Sequence, residues 1–402
     1  MLLPIRQVLM ARNSNPYLVN DGFDTDVAAG SLNGSQALPG PGGLRFVTDT
    51  NGKMSVGSGT LTVVTGGATS GDPGGWYSVY RRVPGLFILG SITYTSAIGF
   101  QIGFDTDMAG AARYSINGSG TSLRVTPNAG GTQITVGAIA ATNTYQLCMA
   151  MRHQGFFALI KGGAFSNWTL VWIDTTEATG PLYPNISANS STNAWSGDNV
   201  KVPNAFWLPT PLASDGFGGS FGTTDGMAHA EGVSGWYGTG GNGLTWTQVG
   251  TWGNSGGVAS ASALSGGVAY ATVPCGTANV IARLTPTRNG GSAGLLLRYV
   301  DASNHVRAYI DGTNAKIDDV SAGVVTNRIS AAATQNAQIV VDLSGAAARL
   351  YVGNTLIGTS AAIANTTGTA HGLYTTDTSN TFDNFSVYAK GTGGEYSILD
   401  NY

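Results

Sequence analysis

Charge is scarce in this chain. Charged residues make up 10% of 402, the net charge is −3, and no block of Lys or Arg occurs. Binding to a phosphate backbone rests on clustered cations, so nucleic acid is excluded as a partner. Glutamate is rarer still: Glu177, Glu231 and Glu395 are the whole supply. They stand in separate segments, and no strand carries the paired acid and nucleophile or base that glycoside hydrolysis requires. The pairs Asp105/Asp107 and Asp318/Asp319 read as solvated turn residues at strand ends. The four histidines are His153, His229, His305 and His371, and no Gly-x-Ser-x-Gly elbow accompanies them. Cys148 and Cys275 lack a His partner pattern and read as free buried thiols. Nothing approaches a membrane span. Met1–Ala11 is apolar but broken by Pro4 and Arg6, a poor secretory signal. The expectation is a chain that is not an enzyme and needs no cofactor.

Glycine, in contrast, is abundant at 60 residues. With many β-branched residues, Ser, Thr and Asn, this is the composition of an all-β protein with tight turns. The chain also repeats itself. Asp21-Gly22-Phe23 returns as Asp215-Gly216-Phe217, Ile116-Asn117-Gly118 as Ile310-Asp311-Gly312, and Asp198-Asn199-Val200 as Asp383-Asn384-Phe385. One duplicated domain accounts for most of the length, with a period too long for a solenoid or a propeller blade.

Strand signals fill the second copy. Ala293–Val300 is apolar, His305–Ile310 turns at Asp311-Gly312, and Phe382–Tyr388 alternates with period two. No segment carries a capped helical stripe; Ile329–Ala337 reads as at most a short helical turn. In the first copy, Phe100–Phe104, Ala112–Ile116, Leu123–Thr126, Tyr145–Met151 and Phe156–Ile160 take corresponding roles, and Asp174–Ser196 reads as a lengthened loop. The fold class is therefore two tandem antiparallel β-sandwiches. The predicted limits are an arm at 1–20, sandwiches at 21–208 and 215–390, a proline-containing linker at 209–214 and a tail at 391–402.

Residues 215–390 resemble the concanavalin A-like (laminin-G-like) jelly-roll sandwiches of secreted bacterial proteins and phage virion proteins. The likeness lies in Asp215-Gly-Phe217, His229-Ala-Glu231, Gly250-Thr-Trp252, Gly294–Asp301, Tyr309–Gly312, Leu350–Gly353, His371–Tyr374 and Phe382–Phe385. The first copy keeps the Asp-Gly-Phe start, the central hairpins and the Asp-Asn end, but lacks the His-Ala-Glu and Gly-Thr-Trp segments. The resemblance implies the fold, on which hydrolases, lectins and display modules all occur.

Three sets of residues are candidates for function. Trp76-Tyr77 and Trp236-Tyr237 each follow Gly in a Gly-rich loop, and exposed indoles stack on the apolar faces of sugars; the alternative is that they plug a sandwich edge or a subunit interface. Asp215 and Asp383, with Asp21 and Asp198 as equivalents, bracket their domains and fit either Ca²⁺ or backbone N–H groups in turns. Ile5, Val8 and Leu9 in the arm, with Ile398 and Leu399 in the tail, suit docking onto a neighbouring subunit. Gly238–Gly243 matches a dinucleotide-loop spacing, but no helix follows it. Together these give a non-enzymatic display protein on a phage virion, in a capsid decoration or a tail or fibre. It is expected in many copies, with other virion proteins and a host polysaccharide as partners and the virion surface or extracellular space as its place. The alternatives are a free lectin or adhesin, or an accessory module of a glycan-degrading system.

Overall fold

The computed structural model describes residues 17–28, 31–35, 45–48, 54–63, 74–77, 85–94, 98–105, 113–127, 132–152, 155–175, 182–188, 195–205, 207–224 and 243–402. The protein is all-β. It forms two compact units, residues 1–208 with 392–402, and residues 209–391.

Two antiparallel sheets make up the first unit. Along one run β13 (Phe165–Ile173), β12 (Phe156–Gly162), β11 (Thr144–Met151), β6 (Phe87–Tyr94), β15 (Trp195–Pro203), β4 (Thr60–Val63) and β3 (Met54–Gly57); β1 (Tyr17–Asp21) also pairs with β15. Along the other run β10 (Ile134–Ala138), β9 (Ser122–Thr126), β8 (Arg113–Ser119), β7 (Ile98–Asp105), β14 (Tyr183–Ala188), β5 (Gly74–Tyr77) and β2 (Arg45–Thr48).

The second unit repeats this plan. Its first sheet orders β28 (Thr355–Ser360), β27 (Ala347–Val352), β26 (Ile339–Ser344), β21 (Val280–Thr287), β30 (Thr381–Ala389), β19 (Val258–Ala263) and β18 (Thr251–Ser255), with β16 (Ala213–Asp215) on β30. Its other sheet orders β25 (Val324–Ala332), β24 (Asn314–Ser321), β23 (Asn304–Ile310), β22 (Ala293–Asp301), β29 (Ala370–Thr375), β20 (Ala269–Pro274) and β17 (Thr247–Val249). Strand for strand, each pairing in one unit recurs fifteen labels later in the other. The sequence echo is thus a duplicated topology.

Alternation along each strand decides which face is core. Leu295 and Leu297 of β22 point inward to meet Val306, Ala308, Ile317, Leu350 and Phe385, all fully buried. In the first unit Phe100, Ile102, Ile116, Val125, Leu147 and Leu159 are equally buried. Gly103 and Gly294 occupy matching sites where two backbones nearly touch. A Cβ there would lie 2.0 Å from the Tyr114 carbonyl oxygen or 2.1 Å from that of Ala308. Only glycine fits.

Two segments differ from the sequence reading. Ile329–Ala337 is not a helical turn: β25 runs through Ala332 as an edge strand paired with β24. Asp174–Ser196 is not simply a loop, because β14 lies within it and pairs with both β7 and β5. Pro184 and the polar Asn185 and Ser187 disguise a central strand. The segment Thr392–Tyr402 belongs to the first unit. Its Tyr396 ring meets Trp207 at 6.0 Å, and its Tyr402 ring meets Phe87 at 5.2 Å. Lys161 Nζ and Trp168 Nε1 both bind Asp400, at 2.6 and 2.9 Å.

Candidate functional site

The repeated aspartates are turn devices. Phe23 and Phe217 both have φ of 54°, a left-handed conformation uncommon for a bulky residue. Each is held there by a backbone N–H donated to the preceding aspartate: Phe23 N to Asp21 Oδ1 at 3.1 Å, and Phe217 N to Asp215 Oδ1 at 2.8 Å. The other carboxylate oxygen is taken too. Arg45 Nε donates to Asp21 Oδ2 at 2.7 Å and its Nη2 to Oδ1 at 2.6 Å, while Trp246 Nε1 donates to Asp215 Oδ2 at 2.8 Å. Asn199 and Asn384 likewise lie at φ of 52° and 54°, each donating its N–H to the aspartate before it at 2.6 Å. There the closing strand bulges, two residues opposing one on its neighbour. The turn reading of these aspartates describes the observed bonds. Beside Asp21 the cation is a guanidinium, and among the described residues no group of three or more His, Cys, Asp or Glu side chains is placed to hold a metal.

The predicted aromatic pairs part company. Trp76 and Tyr77 lie in a strand rather than a loop, with Trp76 opposite Asn185 on one side and Phe46 on the other. Trp236 and Tyr237 fall outside the described residues, as do Ile5, Val8, Leu9, Glu177 and Glu231. Ile398 is exposed, whereas Leu399 is buried. Trp246 and Trp252 are core residues, stacked with Phe221.

Strand register shows what Trp76 corresponds to. Gly103 aligns with Asn185 and then Trp76; Gly294 aligns with Tyr374 and then Tyr270. Trp76 thus occupies the position of Tyr270, and Tyr270 belongs to a cluster that sequence reasoning missed. On the outer face of the seven-stranded sheet, Tyr270, Leu296, Tyr309 and Tyr374 pack together, with Tyr299 against them. The Tyr270 and Tyr374 rings stack at 6.0 Å, and Tyr309 lies 5.6 Å from Tyr374. His305 sits 5.8 Å from Tyr270 and 6.1 Å from Tyr299.

Charge on this platform is internally cancelled. Arg307 Nε donates to Asp318 Oδ2 at 3.0 Å, Tyr309 Oη donates to the same oxygen at 2.8 Å, and Asn327 Nδ2 donates to Oδ1 at 2.9 Å. The guanidinium also lies over the Tyr374 and Tyr309 rings, at 5.4 and 5.6 Å. Burial works to lower the Arg307 pKa, but Tyr374 and Asp318 outweigh it and the net shift is upward. Burial raises the phenols of Tyr270, Tyr299 and Tyr374, which stay protonated. Among the described residues their three hydroxyls hydrogen-bond to no protein group, unlike that of Tyr309. The surface therefore offers phenol rims and one half-buried ring, Tyr299, beside a neutral ion pair. Among the described residues Asp318 is the one carboxylate bonded into it. Its neighbour Asp319 turns to the other face and accepts the Ala364 N–H at 2.6 Å.

The outer face of the first unit's equivalent sheet is built of amides and hydroxyls instead. Gln101, Asn117, Asn185 and Ser187 there are buried, with Ser187 Oγ 3.0 Å from Asn185 Oδ1 and Asn117 Nδ2 3.0 Å from Thr126 Oγ1.

No protein-family model and no curated protein matches the chain. Among solved structures it is similar to the carbohydrate-binding module CBM66 from Bacillus subtilis, at 17% identity over 36% of this chain and 92% of that one, with a TM-score of 0.26. It is also similar to the binding domain of botulinum neurotoxin DC in complex with SialylT, at 10% identity over 87% and 98%, TM-score 0.29. A third is the LG4-5 pair of mouse laminin alpha1, at 9% identity over 73% and 76%, TM-score 0.20.

Proposed function

We propose that this chain binds a neutral glycan without cleaving it, and that the contact is the tyrosine platform of the second unit. One observation carries the reading: the stacked Tyr270 and Tyr374, with Tyr299, present three unengaged hydroxyls beside an ion pair without net charge. A polyol meets such a surface with hydrogen bonds to the phenol rims and C–H contacts to the Tyr299 ring, and the Arg307–Asp318 pair turns no net charge toward it. Asp318, bonded three ways, is held as part of the platform rather than free to act as an acid or a nucleophile, which supports binding over hydrolysis. The setting we propose is the outside of a phage particle, where a display protein meets host polysaccharide; particles lacking the chain by mass spectrometry would leave the free lectin.

The double substitution Tyr270→Phe with Tyr374→Phe keeps the packing and deletes two hydroxyls. Affinity for whichever neutral oligosaccharide the protein binds best should fall about tenfold, roughly one net hydrogen bond or a little more. Undiminished binding by isothermal calorimetry removes the platform from consideration.

A further inference from the structure

We infer that His305 is the specificity-determining acceptor of this site, taking a hydrogen bond from a hydroxyl of the bound ligand. The inference rests on the glycan reading above and names the atom that would recognise the sugar. His305 is the second residue of β23 and is 1% exposed. Its Nδ1 lies 3.2 Å from the Asp301 carbonyl oxygen, which can only accept, so Nδ1 carries the proton. Nε2 is then a lone pair. It is buried and has no partner among the described residues. Buried polar atoms are nearly always satisfied, and an orphan of this kind calls for an explanation.

Its surroundings point to a ligand. The imidazole packs against both the Tyr270 and the Tyr299 rings, the three centroids forming a triangle with sides of 5.8, 6.1 and 6.0 Å. Tyr299 is the half-buried member, and it sits where β22 slips register between Leu297 and Asp301, one residue after the left-handed Arg298. A sugar hydroxyl entering beside the half-buried Tyr299 ring, as that side chain shifts to receive it, reaches Nε2 and supplies the missing donor. Its neighbours on the ring are then within reach of the phenol rims. Ligands lacking a donor at that position are rejected, because they leave the nitrogen unpaired.

A pH dependence follows. The titratable and charged groups around the imidazole are Asp301 at the end of β22, Arg307 on its own strand, Asp318 on β24, and the phenols of Tyr270 and Tyr299. Burial, the dominant influence, holds His305 below the ordinary imidazole value of 6.5. The neutral ring accepts and the protonated ring cannot, so affinity should be constant above that value and fall as pH drops through the lowered pKa.

The test compares wild type, His305→Phe and His305→Gln against a panel of neutral oligosaccharides of glucose, galactose, mannose and fructose at pH 7.5 and at stepwise lower pH down to the onset of unfolding, by calorimetry, with melting curves run alongside. The expected result is a loss of about tenfold or more for His305→Phe at pH 7.5. Wild type should also weaken as pH is lowered through the depressed His305 value, and His305→Gln, whose amide oxygen accepts at any pH, should keep measurable affinity without the acid loss. Equal affinity of folded His305→Phe and wild type overturns the assignment and leaves the platform standing. The same acid loss in His305→Gln as in wild type also overturns it, and does not depend on the Phe variant folding. Wild type that binds no member of the panel overturns the glycan reading together with this inference.

Discussion

The two units set the same aspartate in the same turn and give it different partners. Asp21 faces the Arg45 guanidinium, whereas Asp215 faces the Trp246 indole. Both partners arrive at the start of the second strand, Arg45 as the first residue of β2 and Trp246 just before β17. The fold therefore demands a donor at that point without demanding its identity. The difference should be visible in stability. Asp21→Ala strands a charged group that is 5% exposed, a loss of about 3–5 kcal/mol for the first unit. Both substitutions also strand the turn N–H of the following Phe, a shared cost of about 1–3 kcal/mol. Beyond it Asp215→Ala strands the neutral Trp246 N–H, about another 1–3 kcal/mol, where Asp21→Ala strands the guanidinium. Scanning calorimetry with the two transitions assigned by these variants checks it, and equal losses would dissolve the comparison.

That contrast also explains what was legible in the sequence. Asp-Gly-Phe and Asp-Asn stood out because strained turns tolerate few alternatives, and they located the duplication correctly. Their chemistry was less visible: a carboxylate capping a backbone N–H and one bracketing a metal look the same in one dimension. The platform left almost no trace. Tyr270, Tyr299, His305, Tyr309 and Tyr374 sit on four strands, and only the pairing of β20, β29, β22 and β23 assembles them. Each alone reads as an ordinary strand residue, though an outward Tyr alternating with inward Leu or Ala was a usable signal. Trp76 was noticed for its indole but placed in a loop, because Gly74 and Gly75 hide the strand that contains it. For β14, Pro184 and a run of polar residues had the same effect.

Histidine separates the units a second time. His371 in the second unit is completely buried, its Nδ1 accepting from the Arg298 N–H at 3.2 Å and its Nε2 donating to the Thr277 carbonyl oxygen at 2.9 Å, and burial lowers its pKa to about 4. The first unit has no histidine among its described residues. Because the folded value lies below the unfolded one, the unfolded chain takes up the proton first. The stabilisation is therefore complete above pH 6.5 and drains away as pH falls toward 4. The difference between those two values corresponds to about 3 kcal/mol by pH 4. Urea midpoints measured from pH 7 to 4 should fall more steeply for the second unit. His371→Gln should flatten that slope; an unchanged slope would assign the acid sensitivity elsewhere.

The smallest effect concerns how the first unit holds residues 392–402. Lys161 meets Asp400 at 2.6 Å, the shortest polar contact of that segment whose side chains are both charged, yet the two side chains are 30% and 44% exposed. Solvent and salt screen a pair so placed, and measured pairs of this kind contribute at most about 1 kcal/mol. The apolar contacts work differently: Leu399 and Tyr396 are buried, and Trp207 packs edge-on against Tyr396. Truncating Leu399 to Ala should cost about 2–3 kcal/mol through lost transfer energy and the cavity left behind. Lys161→Ala should then move the first unit's melting midpoint barely at all, since Asp400 keeps the Trp168 N–H at 2.9 Å. A larger loss that shrinks in high salt would reverse the ranking, making charge rather than packing what fixes this segment to its unit.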